Sequence, residues 1–341
     1  MQNKELSFAI VGCGRIGRRH AGHVVKFGKL AAVCDVDAAT ANEVGNEFGA
    51  AAYNDLTQML KEMAGQVDVV AICTPNGLHA QHSIECFAHG VHVICEKPMA
   101  LSVPECGEMI KAAERANRRL FVVKQNRFNP PVEHLKKLID DGKLGKVYSV
   151  QMNCFWNRGD HYFESDWKGT KALDGGTLFT QFSHFLDLLY WMFGDVDDVQ
   201  AMMTNYAHPK IEFEDAGVAM LRFASGALGA VNFTINSYQN NMEGSLTVFA
   251  EKGTIKIGGQ YLNEIEYERV EGQNAPTTLR EGRQANAYGQ YQGSMSNHED
   301  VYRNVSDVLI GHGMVSTGSY EGLKTVELIT SIYKAAGYVS N

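Results

Sequence analysis

A glycine-rich turn after the first apolar segment constrains this chain more than any other feature of its sequence. Residues 6–11 form a short apolar run, and Gly12-Cys13-Gly14-Arg15-Ile16-Gly17 follows before a helical pattern begins. Glycines at this spacing allow a tight turn, a close backbone approach to a pyrophosphate and close packing of helix on strand. A second apolar run, residues 30–34, ends at Asp35, whose carboxylate can bind a ribose 2′-hydroxyl and would repel a 2′-phosphate. Strand, glycines, helix, strand and acid in this order predict a domain that binds NAD.

The alternation of apolar strands and helical stretches continues to about residue 124. Helices are predicted over residues 38–48, 56–63, 77–89 and 102–117, and strands over 67–72, 91–95 and 120–124. This alternation predicts an α/β Rossmann domain over residues 1–124, with a six-stranded doubly wound parallel sheet. Residues 74–76 leave one strand, and Glu96-Lys97-Pro98 leaves the next. Because ligands bind beyond the carboxyl ends of such strands, both of these segments are candidates for contact with the cofactor or substrate.

The overall composition is typical of a globular protein. The 341 residues are 45% hydrophobic and 21% charged, and a chain of this length favours two domains over one. The sequence contains no apolar run long enough to span a membrane and no signal-peptide pattern, so we expect a cytoplasmic protein. The net charge of −8 predicts no general affinity for nucleic acid. Seven cysteines without a C-x-x-C pair predict free thiols rather than a disulfide framework.

After residue 124 the pattern changes to alternating apolar and polar residues, which is typical of half-buried strands. Strands are predicted over residues 147–155, 199–205, 217–223, 227–235, 245–250, 254–257 and 264–270. Helices are predicted over residues 132–140, 178–193, 295–310 and 320–336, and a long loop over 271–293. Together they predict an α+β domain over residues 125–341 with a large, mostly antiparallel, open-faced sheet. One face of that sheet would remain bare in a monomer, so we expect a homodimer or homotetramer that packs through it.

Two segments of the second domain carry candidate substrate-binding residues. Residues 156–171 contain two tryptophans and three basic side chains, a combination that suits an anionic sugar derivative. The helix predicted over residues 178–193 carries Gln181 and His184 on one face. Each segment also fits a structural role, with a buried tryptophan anchor in the first and a hydrogen-bonded core histidine in the second.

Three pairs of histidines are spaced three residues apart, at His20/His23, His79/His82 and His89/His92. This spacing can place two imidazoles on one helix face, where they could bind a metal ion. No third ligand of matching spacing accompanies any pair, so the sequence predicts no metal site.

The motifs together resemble the Gfo/Idh/MocA family, named after glucose–fructose oxidoreductase and inositol dehydrogenase. The resemblance covers nearly the whole chain and rests on five motifs: the glycine turn, Cys73-Thr74-Pro75-Asn76, Glu96-Lys97-Pro98, Gly175-Gly176 before a helical His184, and Glu321-Gly322-Leu323-Lys324. It implies an NAD(P)-dependent enzyme that oxidises a secondary hydroxyl of a sugar or cyclitol. Lys97 would lie between nicotinamide and substrate, and His184 would be the acid/base. Many members carry an acidic residue at the position of Thr180, which cannot ionise, so proton transfer would depend on Lys97 and His184 alone.

More specific segments resemble the UDP-N-acetylglucosaminuronate 3-dehydrogenases of bacterial surface-polysaccharide synthesis. These segments are residues 124–131, 156–158, 167–170 and 181–184. The resemblance implies a nucleotide-linked uronate that is oxidised at C3 and held by local cations, with 2-oxoglutarate as a candidate acceptor for NADH. Three alternatives stay open: a general sugar or polyol dehydrogenase of the inositol type, an NAD-dependent glycosidase that works through oxidation and re-reduction, and a non-catalytic sensor of dinucleotide.

These arguments nominate two overlapping sets of site residues. The predicted cofactor-binding residues are Gly12, Gly14, Arg15, Ile16, Gly17, Asp35, Thr74, Pro75, Asn76, His79, Glu96, Lys97 and Gln125. The predicted substrate-binding residues are Lys97, Arg127, Asn157, Arg158, Trp167, Lys168, Thr180, Gln181 and His184. Lys97 and His184 are predicted to be catalytic, because together they can take the hydroxyl proton while a hydride leaves the same carbon. Glu96 is expected either to hold the nicotinamide ribose or to orient Lys97.

Overall fold

The computed structural model describes residues 5–273, 277–287 and 292–338, which form two compact units. The first unit contains the chain up to Lys124 together with His298–Val326, and the second contains Gln125–Asn297 and the chain from Glu327 onward. Residues 298–326 therefore group with the Rossmann part of the chain, whereas the sequence predicted them within the second domain. The reason is packing, because Tyr302 lies against Phe8 in the first strand with ring centroids 5.9 Å apart.

The first unit is built on a six-stranded sheet in which every strand pair is parallel. Its strands are β1 (Leu6–Val11), β2 (Gly28–Cys34), β3 (Ala51–Tyr53), β4 (Val69–Ile72), β5 (His92–Cys95) and β6 (Leu120–Val122). The order is β3-β2-β1-β4-β5-β6, which is the doubly wound arrangement that the sequence predicted. The sequence analysis counted six strands without locating β3, because three partly exposed residues are too few to show a periodic pattern.

Helices cover both faces of this sheet, as a parallel sheet requires. They are α1 (Arg15–Val24), α2 (Ala38–Phe48), α3 (Leu56–Glu62), α4 (His79–Ala88) and α5 (Val103–Arg115). Side chains of Asp37, Asp55 and Ser102 accept hydrogen bonds from the first turns of α2, α3 and α5, so local capping sets where these helices begin.

The second unit is built on a seven-stranded sheet. Its strands are β7 (Val147–Phe155), β8 (Val196–Thr204), β9 (Ala216–Phe223), β10 (Leu228–Thr234), β11 (Glu243–Ala250), β12 (Gly253–Gly258) and β13 (Glu264–Val270). The order is β13-β12-β11-β7-β10-β9-β8, and all pairs are antiparallel except β7 with β10. The predicted fold class, an α/β Rossmann domain followed by a mostly antiparallel α+β domain, is therefore confirmed.

The region predicted as a long loop contains a small antiparallel hairpin of β14 (Ala285–Ala287) and β15 (Gln292–Met295). Residues 274–276 and 288–291 of that predicted loop lie outside the described residues. The remaining helices are α6 (Pro130–Asp140), α7 (Thr177–Thr180), α8 (Ser183–Phe193), α9 (His298–Leu309) and α10 (Ser319–Ala335).

The amphipathic helix predicted over residues 178–193 is instead two helices with a break at Gln181 and Phe182. The N–H of Phe182 returns to the carbonyl of Thr177, and α8 starts afresh after it. Most side chains of α8 are buried, because Phe182 and Phe185 pack on Trp156 and Phe182 also packs on Phe233 of the sheet. A helix covered on all sides needs no polar face.

One face of the seven-stranded sheet carries exposed apolar side chains. They are Met202, Val218, Met220, Leu228, Phe249 and Tyr267. The alternate residues of the same strands, such as Leu221, Val231 and Val248, are buried. All seven cysteines are free and buried. Among the helices in the described ranges, none combines the length and the apolar character that crossing a membrane requires.

Candidate active site

The glycine turn is open on one side, where a ligand can approach its backbone closely. A Cβ on Gly12, which has a φ of +91°, would lie 2.6 Å from the carbonyl oxygen of Cys73, and one on Gly17 would lie 1.8 Å from that of Gly12. A Cβ on Gly14 would meet nothing within 4 Å. Gly12 and Gly17 are therefore required by packing, while Gly14 keeps the surface beside the start of α1 free of side-chain bulk. No side chain caps α1 at Gly14, which leaves its N-terminus suited to a pyrophosphate.

Asp35 lies at the carboxyl end of β2 and is held by the backbone around it. Its Oδ2 accepts a hydrogen bond from the N–H of Cys13 at 2.7 Å, and its Oδ1 accepts one from Asp37 at 3.0 Å. The carboxylate is thus fixed beside the glycine turn, where the sequence predicted a ribose contact. The next residue is Val36, which is 94% exposed and carries no charge. No basic side chain therefore directly follows Asp35 to offset its charge.

His79 connects the two predicted strand exits of the first unit. Its Nδ1 lies 2.7 Å from the carbonyl oxygen of Pro98, and its Nε2 lies 2.9 Å from that of Thr74. Burial lowers the pKa of the His79 imidazole and outweighs these two carbonyls, which favour its protonated form. The ring is almost fully buried, so it holds the 74–76 loop against the Glu-Lys-Pro turn.

Glu96 is buried at the end of β5, and its carboxylate is engaged within the protein. Its Oε1 accepts from His20 at 2.8 Å and from His298 at 3.3 Å, while its Oε2 accepts from the N–H of Lys97 at 3.1 Å. Burial raises the pKa of the Glu96 carboxyl, but the hydrogen bonds from His20 and His298 outweigh burial and hold this pKa well below its usual range. Of the two roles expected for Glu96, these contacts favour orienting Lys97. The Lys97–Pro98 peptide bond is cis, and Lys97 itself is half-buried.

The contacts of Glu96 also bring three potential metal ligands together. His20, Glu96 and His298 each offer a ligand atom, and these atoms lie within 4.8 Å of one another. The sequence analysis found no third ligand near His20, because its partners are 76 and 278 positions away along the chain. The hydrogen bonds just described account for this proximity without an ion.

Arg158 is the centre of a buried polar cluster in the second unit. Only 4% of the residue is exposed, its Nε donates to Gln181 Oε1 at 2.7 Å, and its Nη1 donates to Asn241 Oδ1 at 3.1 Å. The guanidinium lies 4.9 Å from the ring centroid of Trp156 and 5.3 Å from that of Tyr162. The fold thus joins Arg158 and Gln181, which the sequence nominated separately. A guanidinium between aromatic faces is suited to binding a carboxylate or a phosphate.

Aromatic and basic side chains extend this cluster along residues 160–168. Lys168 Nζ lies 3.6 Å from the ring centroid of Tyr162 and 5.8 Å from that of Trp167. The Tyr162 hydroxyl accepts a hydrogen bond from Gln181 Nε2 at 2.7 Å. The predicted residues Trp167 and Lys168 are therefore linked to Gln181 through Tyr162, which the sequence analysis did not nominate.

Thr180 is tied to a buried carboxylate. Its hydroxyl donates to the Asp174 side chain, and the other oxygen of Asp174 accepts from the N–H of Gly169 at 2.8 Å. The carboxylate of Asp174 therefore lies next to Thr180, although Thr180 itself cannot ionise. His184 is buried in the first turn of α8, three residues beyond Gln181.

Three further predicted residues have contacts of their own within the second unit. Arg127 makes a bidentate buried ion pair with Asp187, with N–O distances of 2.8 and 2.7 Å. This pair fastens Arg127 to α8, a packing role. Asn157 donates from its side chain to the Ser237 carbonyl at 2.6 Å. The carbonyl of buried Gln125 accepts from Asn297 at 3.2 Å.

Comparison with known proteins identifies the family. The WlbA dehydrogenase of Bordetella pertussis, solved with NADH and UDP-GlcNAcA, is 36% identical, with a TM-score of 0.88 over 98% of this chain and 97% of that one. An oxidoreductase family model with an NAD-binding Rossmann fold matches residues 6–124, and a GFO/IDH/MocA C-terminal domain model matches residues 132–256. The chain belongs to the Gfo/Idh/MocA family.

Two further proteins match over nearly the whole chain. The WlbA dehydrogenase of Chromobacterium violaceum, also solved with NADH and UDP-GlcNAcA, is 36% identical with a TM-score of 0.89, and the match covers 99% of this chain and 95% of that one. D-apiose dehydrogenase of Rhizobium rhizogenes is 27% identical, over 98% of this chain and 96% of the relative. The protein is thus an NAD-dependent sugar oxidoreductase, and the geometry around Gly14 and Asp35 fits that cofactor.

Proposed function

We propose that this protein oxidises the C3 hydroxyl of a UDP-N-acetylhexosaminuronate with NAD. The buried Arg158, flanked by Gln181 and two aromatic rings, carries the proposal. A protein with a net charge of −8 needs local cations to hold an anionic substrate, and a desolvated guanidinium is the strongest such group. The two WlbA structures solved with UDP-GlcNAcA, each 36% identical, support the same substrate class.

The residues divide the chemistry between them. Bound NAD supplies the hydride acceptor, and Lys97 and His184 take the proton of the substrate hydroxyl. Glu96 orients the Lys97 backbone through the 3.1 Å hydrogen bond, while Gln181 and Arg158 hold the sugar and its carboxylate.

The decisive experiment incubates the purified protein and NAD with a panel of UDP-sugars and free polyols and follows NADH by absorbance. We expect the highest kcat/KM with a UDP-N-acetylhexosaminuronate and a 3-keto product by NMR. Equal rates with uncharged sugars or inositol would instead establish a general polyol dehydrogenase. Parallel reactions with 2-oxoglutarate test whether this acid reoxidises NADH. Chromogenic glycosides cleaved without any added acceptor would establish a redox-assisted glycosidase.

Substituting Arg158 tests the substrate class directly. Loss of a buried charge-assisted hydrogen bond costs roughly 1.5–3 kcal/mol, so Arg158→Ala should raise KM for the uronate about 10- to 100-fold. KM for UDP-N-acetylglucosamine, which lacks the carboxylate, should change little. Arg115→Ala, at an exposed position of α5, is the control. Equal effects of Arg158→Ala on both substrates would mean that the cluster is only structural.

Substituting Lys97 and His184 tests the proton-transfer roles. General acid–base catalysis contributes about 10²–10⁴-fold, so Lys97→Ala and His184→Ala should each lower kcat by at least about 100-fold. The dissociation constant for NAD should stay near that of the wild type in Lys97→Ala, because the glycine turn and Asp35 bind the other half of the cofactor. Lys111→Ala on the surface of α5 is the control. A Lys97→Ala enzyme that kept more than about a tenth of the wild-type rate would rule out catalysis by this lysine.

A further inference from the structure

We infer that the consecutive carboxylates Glu214 and Asp215 are positioning residues that hold the two halves of the substrate site in the second unit. Both residues are fully buried and lie directly before β9. Glu214 contacts the segment that precedes Gln181 and His184. Asp215 contacts His208, which in turn contacts the backbone of Arg158. The inference rests on the proposed function for the roles of Gln181, His184 and Arg158, whereas the contacts themselves belong to the fold.

Glu214 caps the start of α7 from a distance in sequence. Its Oε1 accepts from the N–H of Thr177 at 3.1 Å and from the Tyr333 hydroxyl at 2.6 Å. The same hydroxyl accepts from the N–H of Leu178 at 3.1 Å. The first two N–H groups of the helical segment are thereby satisfied by a carboxylate and a phenol, where most helices use an adjacent Ser, Thr or Asp.

The Thr177 side chain completes this attachment. Its hydroxyl donates to the backbone carbonyl of Glu214 at 2.5 Å, so the two segments are joined by both backbone and side-chain bonds. Gly176 gives them room, because a Cβ there would lie 2.2 Å from the Tyr333 hydroxyl oxygen. The direction in which α7 leaves this turn determines where Gln181 and His184 lie.

Asp215 reaches Arg158 through His208. The carboxylate accepts from His208 Nδ1 at 3.0 Å, and His208 Nε2 lies 2.7 Å from the carbonyl oxygen of Arg158. Both ring nitrogens of His208 face oxygen atoms, so the ring bridges the Asp215 carboxylate and the Arg158 backbone. The N–H of Arg158 donates to Ile235 at 2.9 Å, so its backbone is held on both sides.

The two attachments converge on one hydrogen bond. Arg158 Nε and Gln181 Oε1 meet at 2.7 Å, and each residue is reached from one of the two neighbouring carboxylates. A misplacement of about 1 Å at a reacting group can cost about 100-fold in rate, so each attachment has a predictable kinetic effect.

Kinetics on the UDP-uronate separates the two roles. Glu214→Ala should lower kcat at least about 10-fold, because it displaces α7 and with it the start of α8, which carries His184. Glu214→Gln should retain activity, because its amide oxygen can accept both bonds.

His208→Gln should raise KM about 10-fold and leave kcat within about threefold, because it acts through Arg158. His134→Gln, which breaks a half-buried histidine–carboxylate pair with Glu268, is the control. If Glu214→Ala does not fold, Tyr333→Phe replaces it.

Hydrogen exchange gives a readout that does not need turnover. In the Glu214→Ala or Tyr333→Phe variant, exchange should rise in peptides covering residues 175–184 and stay at the wild-type rate in 156–160. In His208→Gln the opposite pattern should appear. Equal changes in both regions, or no change in either, would overturn the inference. A wild-type protein that reduces no NAD with any substrate would refute the proposed function, while this exchange pattern would still decide the positioning roles.

Discussion

At the scale of single residues, burial decides what a carboxylate can do. Asp35 is half-buried and fixed by two backbone N–H groups, so its charge is available to a ligand. Glu214 is fully buried, and burial raises its pKa to about 8 against the hydrogen bonds from Tyr333 and the backbone, which lower it. We expect Asp35 to select the cofactor, whereas Glu214 accepts a hydrogen bond from the backbone at the start of α7.

Asp35 should make the enzyme prefer NAD to NADP. A carboxylate against a 2′-phosphate costs roughly 1–3 kcal/mol, so kcat/KM should favour NAD by about 10- to 100-fold. Asp35→Ala combined with Val36→Arg should relax this preference. Glu47→Ala, on the neighbouring α2, removes one charge without touching the turn and should leave the ratio unchanged. A wild-type preference for NADP would show that the role given to Asp35 is wrong.

Glu214 should make stability fall as pH rises. Its folded-state pKa is raised, so between about pH 4.5 and 8 the folded protein holds a proton that the unfolded chain has released. Through that window the free energy of unfolding should fall by up to about 1.4 kcal/mol per pH unit relative to Glu214→Gln, which cannot ionise. Urea denaturation at pH 5, 6, 7 and 8 measures this difference. Glu212→Gln should track the wild type, and a pH-independent difference for Glu214→Gln would contradict the prediction.

At the scale of elements, the turn before α7 shows how a glycine can be required by a distant side chain. Gly176 has a φ of +137°, and its missing Cβ makes room for Tyr333 in α10. The sequence motif Gly175-Gly176 predicted the turn, but it did not predict that Tyr333 packs against Gly176. The turn is therefore both a backbone requirement and a packing requirement.

Gly176→Ala should destabilise the fold more than alanine at an open glycine with a positive φ. Gly226→Ala, in the turn between β9 and β10, is the matched control, because its φ is +84° and nothing lies within 4 Å of its Cβ. Both variants bear backbone strain, which is larger at Gly176 because its φ of 137° with a ψ of 170° is reached almost only by glycine. Only Gly176→Ala adds a clash, and overpacking adds about 1–3 kcal/mol. Equal losses for the two variants in thermal and urea unfolding would contradict this prediction.

At the scale of the whole molecule, the bare face of the seven-stranded sheet is the feature still to be accounted for. Its neighbouring strands align Met202 with Val218 and place Met220 and Leu228 nearby, so the exposed apolar side chains are contiguous. A contiguous apolar patch of this kind marks an association surface. We expect a homo-oligomer that packs through this face, as the alternation of the strands predicted.

A charge placed on this face should break the oligomer. Met220→Glu puts a carboxylate within the exposed apolar patch on β9, where association would bury it without a partner. Light scattering after size exclusion should show an oligomeric wild type and a monomeric variant. Met314→Glu, equally conservative in size and exposed in the first unit, should keep the wild-type mass. A monomeric wild type at micromolar concentration would refute this assembly.

Local signals accounted for most of the elements. Helix α2 and strands β1, β7 and β13 have the bounds predicted from periodicity and turn residues, and the glycine turn with Asp35 lies as expected. These features depend on neighbours within a few positions, where spacing, capping and backbone freedom act. The acidic pair Glu214-Asp215, directly before the half-buried strand β9, was a usable signal of a buried polar contact that the sequence arguments did not use.

The partners of the site residues were decided only by the tertiary structure. Glu96 meets His298 across 202 positions, Glu214 meets Tyr333 across 119, and Arg158 meets Gln181 across 23. The sequence by itself determined the two folds, the cofactor and the residues able to hold charge or move a proton. Which of these residues face a ligand and which hold the backbone depends on desolvation and on distant hydrogen-bond partners, and no local pattern encodes either.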